Sequence, residues 1–544
     1  MLQVENIQVA TSNTGAIPTL APLALLGIST GNGDDTITGS AGVDIILGGA
    51  GNDVIAAGAG PDVVYAGEGN DDITGGADDD VIHGGDGSDT IHWATGDGAD
   101  TVEGDDGSDV LDYSDAAATI SVDLSDIRAT VGSVDAAGID RIDVTGNIIN
   151  IVGSNNDDAI AIVDDGVGTA VTGLSVPLDI TGATQIGIDS GTGSDALTVT
   201  GNSVAVDTAG ATITGATPST VNYSNLEAVS VLAGAGTDLT VSGSGAYTVS
   251  PGAAADEGTI LTDSVTVSFD GFGSGTTLNV DADLTLNGSD SDDVISVAAG
   301  GTVSVAGRAD VATSSAGDDL VLVSGNGDDA VTIAAGHAWT TIDVQGGNPS
   351  ASDTATLTGD ATAVTVTLSH SASVSGGGLG TVSLSGIETA TVNNGAGDLT
   401  VDGSGGADDF TVRPTGADTA TTTVAGIHPV LNSYNSGALT INDGTAADGD
   451  SLVVTYDDGD QVVSIDDDSV DSVSLKDVGY TAANIATLAV STKGGADSVT
   501  VTDGTTTPVT VDGGGSQNDT LTMQGSGATA NTYVCLLYPS PRPR

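Results

Sequence analysis

The sequence predicts an all-β fold, a parallel β-roll followed by a long β-solenoid or β-helix-like repeat region. Three observations support this. Residues 30–112 repeat with a period of nine, the chain beyond them alternates Val, Thr, Ile and Ser between Gly, Asp and Asn turns, and no helix-period stretch stands out. Aromatic residues make up only 3% of the chain. Narrow stacked ladders of Val, Ile and Leu are therefore expected in place of an aromatic core.

The nine-residue repeat has glycines near the start of each unit, aspartate at the sixth position and a branched aliphatic residue two positions later. The glycines permit the positive φ angles of tight turns, and the last three residues form a short strand whose central side chain points inward. The sixth-position aspartates are Asp35, Asp44, Asp53, Asp62, Asp71, Asp80, Asp89, Asp100 and Asp109.

Stacking of the units brings these aspartates together. Two units make one coil, and successive coils lie about 4.8 Å apart, so every second turn stacks on the same edge. Stacked carboxylates repel one another unless a divalent cation bridges them. Oxygen-only ligands at loose geometry favour Ca²⁺ over Zn²⁺ or Mg²⁺. The nine aspartates are therefore candidate ligands for several calcium ions.

Some units depart from the pattern. Asp78 replaces the second turn glycine of its unit, a position that Asp tolerates better than most residues, and Pro61 stiffens another turn. Residues 93–103 form an eleven-residue unit that is expected to bulge the roll and weaken a site there. His83 and His92 occupy matching positions of successive units, which face opposite edges, so we expect surface residues rather than a shared metal site.

The repeat in residues 30–112 resembles the RTX, or haemolysin-type calcium-binding, repeat G-G-x-G-x-D-x-U-x. The resemblance implies a parallel β-roll in which sixth-position carboxylates and turn carbonyls hold Ca²⁺ between turns i and i+2. It also implies a bacterial protein that is secreted or displayed at the cell surface, with type I secretion as the route.

Residues 113–531 are predicted to form a second, less regular β-repeat region. Looser echoes of the repeat at 191–199, 289–297, 325–333 and 494–501 are spaced too irregularly for a continuous calcium roll. Asp195, Asp293 and Asp329 lie in these echoes and are weaker candidate ligands, because isolated Gly-Asp turns in an aspartate-rich chain more often only turn.

An internal match favours stacked coils in this region. Residues 224–245 parallel residues 385–405, which pairs Glu227 with Glu388. Duplicated units that cannot bury their apolar edges alone are typical of solenoids. A string of β-sandwich modules of about 80–100 residues is the alternative.

The charge of the chain excludes several classes of partner. Its 544 residues contain 8 Lys and Arg against 75 Asp and Glu, giving a formal net charge of −67, and only six of the acids are glutamate. Phosphate backbones and acidic lipids repel such a chain, so neither nucleic-acid binding nor polybasic membrane docking is expected. Because 38% of the residues are hydrophobic, the chain is not a disordered acidic polymer either.

The two ends of the chain, residues 1–29 and 532–544, differ from the repeat regions between them. No Lys or Arg precedes Arg128 and Pro22 interrupts the early apolar patch, so no signal peptide is evident in the lead-in, residues 1–29. No apolar run approaches a membrane span. Cys535 is the only cysteine, which excludes an internal disulfide framework. It lies in a tail, residues 532–544, whose composition breaks with the rest and which is expected to be non-native.

Three functions fit these observations. The favoured one is a calcium-binding secreted or cell-surface repeat protein that acts as a scaffold or adhesin. The second is the non-catalytic repeat part of a truncated secreted hydrolase or toxin, although only 29 residues precede the repeats. The third is a β-helix enzyme that modifies acidic polysaccharide, which needs a cationic groove. The cations outside the tail are Arg128, Arg141, Arg308, Arg413, Lys476 and Lys493.

No catalytic constellation is recognisable in the sequence. The segment GISTG at 27–31 formally fits the nucleophile elbow, but it leads into the first repeat turn and not into a helix. Metalloprotease, P-loop and dinucleotide-binding motifs are not found. We therefore expect a protein that is not an enzyme.

Overall fold

The computed structural model describes residues 25–124, 129–164, 168–215, 220–243, 245–262, 265–272, 276–280, 282–313, 317–347, 352–427, 429–442, 449–502, 504–515, 518–524 and 534–535. Most of the lead-in and of the tail lies outside these residues, so the non-native tail stays a prediction. The described residues form strands and no helix, and thus no helix that could cross a membrane. The chain divides into two compact units, residues 1–244 with 259–272 and residues 245–258 with 273–544.

The first unit begins with the repeat, which forms short strands separated by turns. These strands are β1 Leu25–Asn32, β2 Thr36–Thr38, β3 Val43–Ala50, β4 Val54–Ala59, β5 Val63–Glu68, β6 Asp72–Ala77, β7 Val81–Gly87, β8 Thr90–Ala94, β9 Thr101–Gly107 and β10 Val110–Asp123. Each of the strands β1 to β8 pairs in parallel with the second strand after it, so that Ile46 of β3 lies beside Val64 of β5. Two units therefore make one coil, as the nine-residue period predicts.

The core of the roll is a pair of aliphatic columns between its two sheets. Ile55, Ile73 and Ile91 stack in one column and are at most 1% exposed. Their strand neighbours are exposed or half-buried, which is the alternation expected when a period-2 strand covers a narrow core. Burial of each such side chain contributes about 1.5–3 kcal/mol.

The rest of the first unit continues the stacking with longer coils. Its strands are Ala129–Val131, Val134–Ala137, Arg141–Val152, Ala159–Asp164, Thr169–Thr172, Leu178–Thr181, Gln185–Asp189, Ala196–Asp207, Thr212–Thr214, Thr220–Ser224, Ala228–Ser242, Gly258–Leu261 and Thr266–Asp270. The strand Gly258–Leu261 belongs to this unit except for its first residue. Ile149, Ile186 and Val221 face one another on successive parallel strands. The coils also contain antiparallel hairpins, for example Ile162 opposite Val171, which the sequence did not predict.

The second unit is built in the same way. Its strands are Tyr247–Pro251, Thr277–Val280, Leu284–Asn287, Val294–Val297, Val303–Val305, Asp310–Thr313, Asp319–Val323, Ala330–Ala334, Thr341–Gln345, Thr354–Thr358, Val364–Thr367, Ala372–Gly376, Thr381–Ser385, Thr389–Asn393, Leu399–Asp402, Asp409–Gly416, Thr419–Val424, Val430–Tyr434, Leu439–Asn442, Asp450–Thr455, Val462–Ile465, Ser469–Ser472, Val478–Tyr480, Ile485–Ser491, Ser498–Val501, Val509–Asp512, Thr520–Met523 and Val534–Cys535. Leu286, Leu322, Val344 and Leu384 form one parallel column. Parallel stacking in both units confirms the predicted roll and solenoid architecture over a string of β-sandwich modules.

Candidate calcium-binding turns

The nine sixth-position aspartates of the repeat are all buried, with at most 4% of their surface exposed. They stack on the two edges of the roll, because alternate units face opposite ways. One ladder contains Asp35, Asp53, Asp71, Asp89 and Asp109, and the other contains Asp44, Asp62, Asp80 and Asp100. The structure thus brings together the residues that the period predicted would meet. Their role as metal ligands stays a prediction.

In the seven aspartates that follow the first member of each ladder, one carboxylate oxygen accepts a backbone N–H of the preceding coil. The N–H of Asp53 donates to Oδ1 of Asp71 at 2.7 Å, and the N–H of Asp62 donates to Oδ1 of Asp80 at 2.7 Å. The eleven-residue unit does not interrupt this ladder. The N–H of Asp80 still donates to Oδ1 of Asp100 at 2.9 Å, because the extra residues are taken up in the turn that follows Ala94. The expected bulge is therefore confined to that turn.

The second carboxylate oxygen is buried and accepts no hydrogen bond. This holds for Oδ2 of Asp35, Asp53, Asp62, Asp71, Asp80, Asp89 and Asp109. A buried carboxylate oxygen without a donor costs about 1–3 kcal/mol or more. Its recurrence in coil after coil indicates that the turns are built for a positive charge.

In the unit of residues 48–56, the first glycine of the turn gives this oxygen its space. A Cβ added at Gly48 would lie 2.6 Å from Oδ2 of Asp53 and would clash with the carbonyl oxygen of Ala66 in the next coil. A carboxylate oxygen and a carbonyl oxygen therefore face the same small space beside Gly48, whereas Ala57 and Ala66 occupy the same position in the next two units. The fourth residue of most turns requires a left-handed backbone conformation, as at Gly51 with a φ of 127° and at Asp78 with a φ of 79°.

Burial also raises the pKa values of seven of these carboxyl groups, those of Asp53, Asp62, Asp71, Asp80, Asp89, Asp100 and Asp109. Desolvation is the main cause, and neighbouring carboxylates of the ladder add to it. The pKa of Asp53, Asp62 and Asp89 is raised to about 6 and that of Asp80 to about 7. Their backbone hydrogen bonds act in the opposite direction but are outweighed. Ionising these buried carboxyl groups without a cation therefore lowers the stability of the fold, and a bound cation would offset that loss.

The donor set suits calcium better than a transition metal. Within the described ranges no three His, Cys, Asp or Glu side chains converge on one point. A cation in a turn would therefore be held by an aspartate Oδ2 together with backbone carbonyl oxygens. Such hard oxygen ligands in an irregular shell are those that Ca²⁺ accepts. Once bound, the ion supplies the positive charge that the ladder lacks.

One turn of the roll satisfies its carboxylate in another way. Ser40 occupies the second turn position, where most units have glycine. Its N–H donates to Oδ2 of Asp44 at 2.6 Å and its hydroxyl donates to Oδ1 at 3.1 Å. We call this arrangement a serine lock. The sequence pattern that marks it is G-S-x-x-x-D at 39–44, which the repeat consensus does not distinguish from the other turns.

The two histidines lie on the outside of the roll. Nδ1 of His92 is 3.0 Å from Oδ2 of Asp112 and Nε2 is 3.2 Å from Oδ1 of Asp72. His83 stacks on Tyr65 with ring centroids 4.8 Å apart. Nδ1 of His83 is 3.5 Å from Oδ2 of Asp105. The two histidines therefore contact different aspartates and do not form a joint site.

The weaker candidates lie in turns of the same kind. Asp195 and Asp329 are 1% exposed, and Asp293 is 8% exposed. The two glutamates paired by the internal match also take equivalent places. Oε2 of Glu227 accepts the N–H of Asp195 at 2.8 Å, and Oε2 of Glu388 accepts the N–H of Asp353 at 2.7 Å. Sequence comparison had paired these glutamates without revealing that they end carboxylate ladders.

Comparison with known families points to the same segment. A family model described as the RTX calcium-binding nonapeptide repeat (4 copies) matches residues 29–64, 56–91 and 94–115. These matches cover both aspartate ladders of the roll. A search of curated proteins found no match to the chain.

Proposed function

We propose that the chain is an exported calcium-binding scaffold or adhesin whose roll is folded by Ca²⁺ outside the cell, on the premise that residues 29–64, 56–91 and 94–115 match the RTX calcium-binding nonapeptide repeat. The observation that carries the proposal is the buried Oδ2 of the repeat aspartates, which accepts no hydrogen bond in turn after turn. In calcium-poor surroundings these charges and the glycine-rich turns oppose folding. Where calcium is abundant, each bound ion contributes its binding free energy to folding.

Calcium levels outside cells suit such a switch. Extracellular calcium modules bind with dissociation constants of roughly 10⁻⁴–10⁻³ M. A chain that stays unfolded during export and folds on arrival requires affinities in that range. The absence of an internal disulfide framework, with Cys535 as the only cysteine, fits a protein that uses metal in place of covalent cross-links.

A scaffolding or adhesive role, without catalysis, is supported by the charge distribution. Lys and Arg side chains of the described residues are engaged with acidic or carbonyl oxygens. Arg141 contacts Asp143, Arg413 contacts Asp457, and Lys476 donates to the carbonyl oxygen of Ser436. A groove lined with free cations, which an enzyme acting on acidic polysaccharide needs, is not found among them. The solenoid coils instead offer long, acidic, soluble faces.

Circular dichroism of the full chain tests the calcium dependence. The protein is stripped with chelator and titrated with CaCl₂, with MgCl₂ as the control of equal charge. We expect the β signal and the thermal midpoint to rise with calcium and much less with magnesium, because Mg²⁺ demands a near-ideal octahedral shell. A β signal that is indifferent to calcium would contradict the proposal.

Location is tested separately. Antibody detection in culture medium, together with protease treatment of intact cells of the source organism, distinguishes an exported chain from an internal one. We expect the protein in the medium or in the protease-accessible fraction. Detection only after cell lysis would contradict export while leaving calcium binding intact.

A further inference from the structure

Several aspartates outside the matched repeats share the bare carboxylate oxygen of the roll, and two of their turns also keep glycine at the second and fourth positions. Residues 190–195 read S-G-T-G-S-D in the first unit, and residues 324–329 read S-G-N-G-D-D in the second. Their aspartates, Asp195 and Asp329, are 99% buried. Oδ2 of each is buried and accepts no hydrogen bond. The two turns thus have the feature that carries the calcium proposal for the roll.

The backbone of these turns also matches that of the roll. Gly191 and Gly193 have φ values of 94° and 156°, and Gly325 and Gly327 have φ values of 102° and 126°. These are the left-handed conformations of the repeat glycines. The first position is serine in both turns, whereas it is glycine in most units of the roll.

That serine does not satisfy the aspartate of its own turn. The hydroxyl of Ser190 donates to the carbonyl oxygen of Asn225 at 2.8 Å. The hydroxyl of Ser324 donates to the carbonyl oxygen of Gln345 at 3.3 Å. Both serines bind the next coil, so Oδ2 of each aspartate is left without a donor from the described residues.

The neighbouring coils add further acidic groups. Oδ1 of Asp195 accepts the N–H of Asp158 at 2.8 Å, while the N–H of Asp195 donates to Glu227. In the second unit, Oδ1 of Asp329 accepts the N–H of Asp293 at 2.7 Å. Each bare oxygen therefore lies in a ladder of acids, where the electrostatic benefit of a cation is greatest.

The preceding acids in these ladders do not need that cation, because they have serine locks. Oδ2 of Asp158 accepts the N–H of Ser154 at 2.8 Å, and the hydroxyl of Ser154 is 3.0 Å from Oδ1. Oδ2 of Asp293 accepts the N–H of Ser289 at 2.6 Å and its hydroxyl at 3.0 Å. Each compact unit therefore contains a serine-locked aspartate next to an aspartate whose Oδ2 has no donor, Asp158 next to Asp195 and Asp293 next to Asp329.

We propose that Asp195 and Asp329 are ligands of two calcium sites outside the nonapeptide repeat, and that the serine-locked Asp158 and Asp293 are not metal ligands. The bare Oδ2 and the turn carbonyls hold the ion, as in the roll. This inference rests on the proposed calcium function and extends it to one site in each compact unit. It also makes serine at the second turn position a sequence marker of turns that close without metal.

Counting bound calcium on the full chain tests the proposal. Calcium per chain is measured by native mass spectrometry and by equilibrium dialysis for the wild type, for the double variant D195N/D329N and for the control D158N/D293N. Asparagine keeps Oδ1 as an acceptor for the stacked N–H, and circular dichroism in saturating calcium checks the fold. We expect the first variant to lose two equivalents and the control to lose none.

Other outcomes separate the two proposals. A wild type that binds no calcium overturns the proposed function itself. A wild type that binds calcium while D195N/D329N retains the full count overturns only the two additional sites. Equal losses in both double variants overturn the distinction between bare and serine-locked aspartates. If the double variant fails to fold, the single variants D195N and D329N are each expected to lose one equivalent, and retention of the full count by both overturns the sites.

Discussion

The backbone N–H of Asp71 donates to Oδ1 of Asp89, 2.8 Å away and 18 residues later in the chain. This contact repeats along both edges of the roll. In Asp53, Asp62, Asp71, Asp80, Asp89 and Asp109 it commits one carboxylate oxygen to the stack, and the other oxygen has no donor. The hydrogen bond that sets the register of the coils therefore also places the aspartates close together at the edge of the roll. Because their negative charges repel one another, folding becomes sensitive to pH and to cations.

Without calcium, the roll should become less stable as pH rises. The pKa of Asp53 is raised from 3.8 to about 6 and that of Asp80 to about 7. Since the native state holds these protons more tightly than the unfolded chain, their stabilising contribution is complete below pH about 4 and is lost as pH rises to about 7. Thermal melts in chelator across this range measure the effect. A midpoint that rises with pH in this window contradicts the assigned cause.

Asp80→Asn should reduce the calcium-dependent stability by about one site's contribution and leave the metal-free roll intact. The amide keeps Oδ1 as an acceptor for the N–H of Asp62 but removes the buried charge. We expect a smaller calcium-induced rise of the thermal midpoint, by about one site's contribution, and an unchanged or higher midpoint in chelator. The control is Asp86→Asn, at an exposed turn position. Equal calcium responses of both variants and the wild type would exclude Asp80 as a ligand.

Gly48→Ala should damage both the turn and the calcium site. The new methyl group would lie 2.6 Å from Oδ2 of Asp53 and would clash with Ala66. We expect a loss of about 1–3 kcal/mol of unfolding free energy in calcium, together with weaker calcium binding. Gly405→Ala is the control, because a Cβ there meets nothing within 4 Å. Denaturant unfolding and calcium titration measure both effects, and a Gly48→Ala variant that behaves as the control would refute the crowded turn.

Ser40→Ala should open the serine lock of the roll. The variant removes the hydroxyl that donates to Oδ1 of Asp44 at 3.1 Å and keeps the backbone donor to Oδ2. We expect a loss of about 1–3 kcal/mol in chelator, because a hydrogen bond to a buried charged group is removed. Ser88→Ala, at an exposed turn position, should lose much less. Chelator melts of both variants compare them directly, and indistinguishable midpoints would show that the hydroxyl contributes nothing.

Much of the roll could be predicted from its period. A nine-residue repeat with two strands per coil places Asp53 and Asp71 on one edge and Asp62 on the other, because neighbouring units point in opposite directions. The same period places Ile73 in the core. The antiparallel hairpins of the longer coils, such as Ile162 opposite Val171, could not be predicted in this way, since their spacing varies from coil to coil.

The nine-residue pattern is enough to specify the β-roll and its two edges of stacked aspartates, and it predicts oxygen ligands for a cation. These properties follow from local geometry, namely glycine at positive φ, alternation along strands and a constant period. The pattern does not specify which carboxylate oxygens have donors. That depends on contacts between coils and on single turn residues, so that Ser289 closes the turn of Asp293 while Ser324, in the next coil, leaves Oδ2 of Asp329 bare.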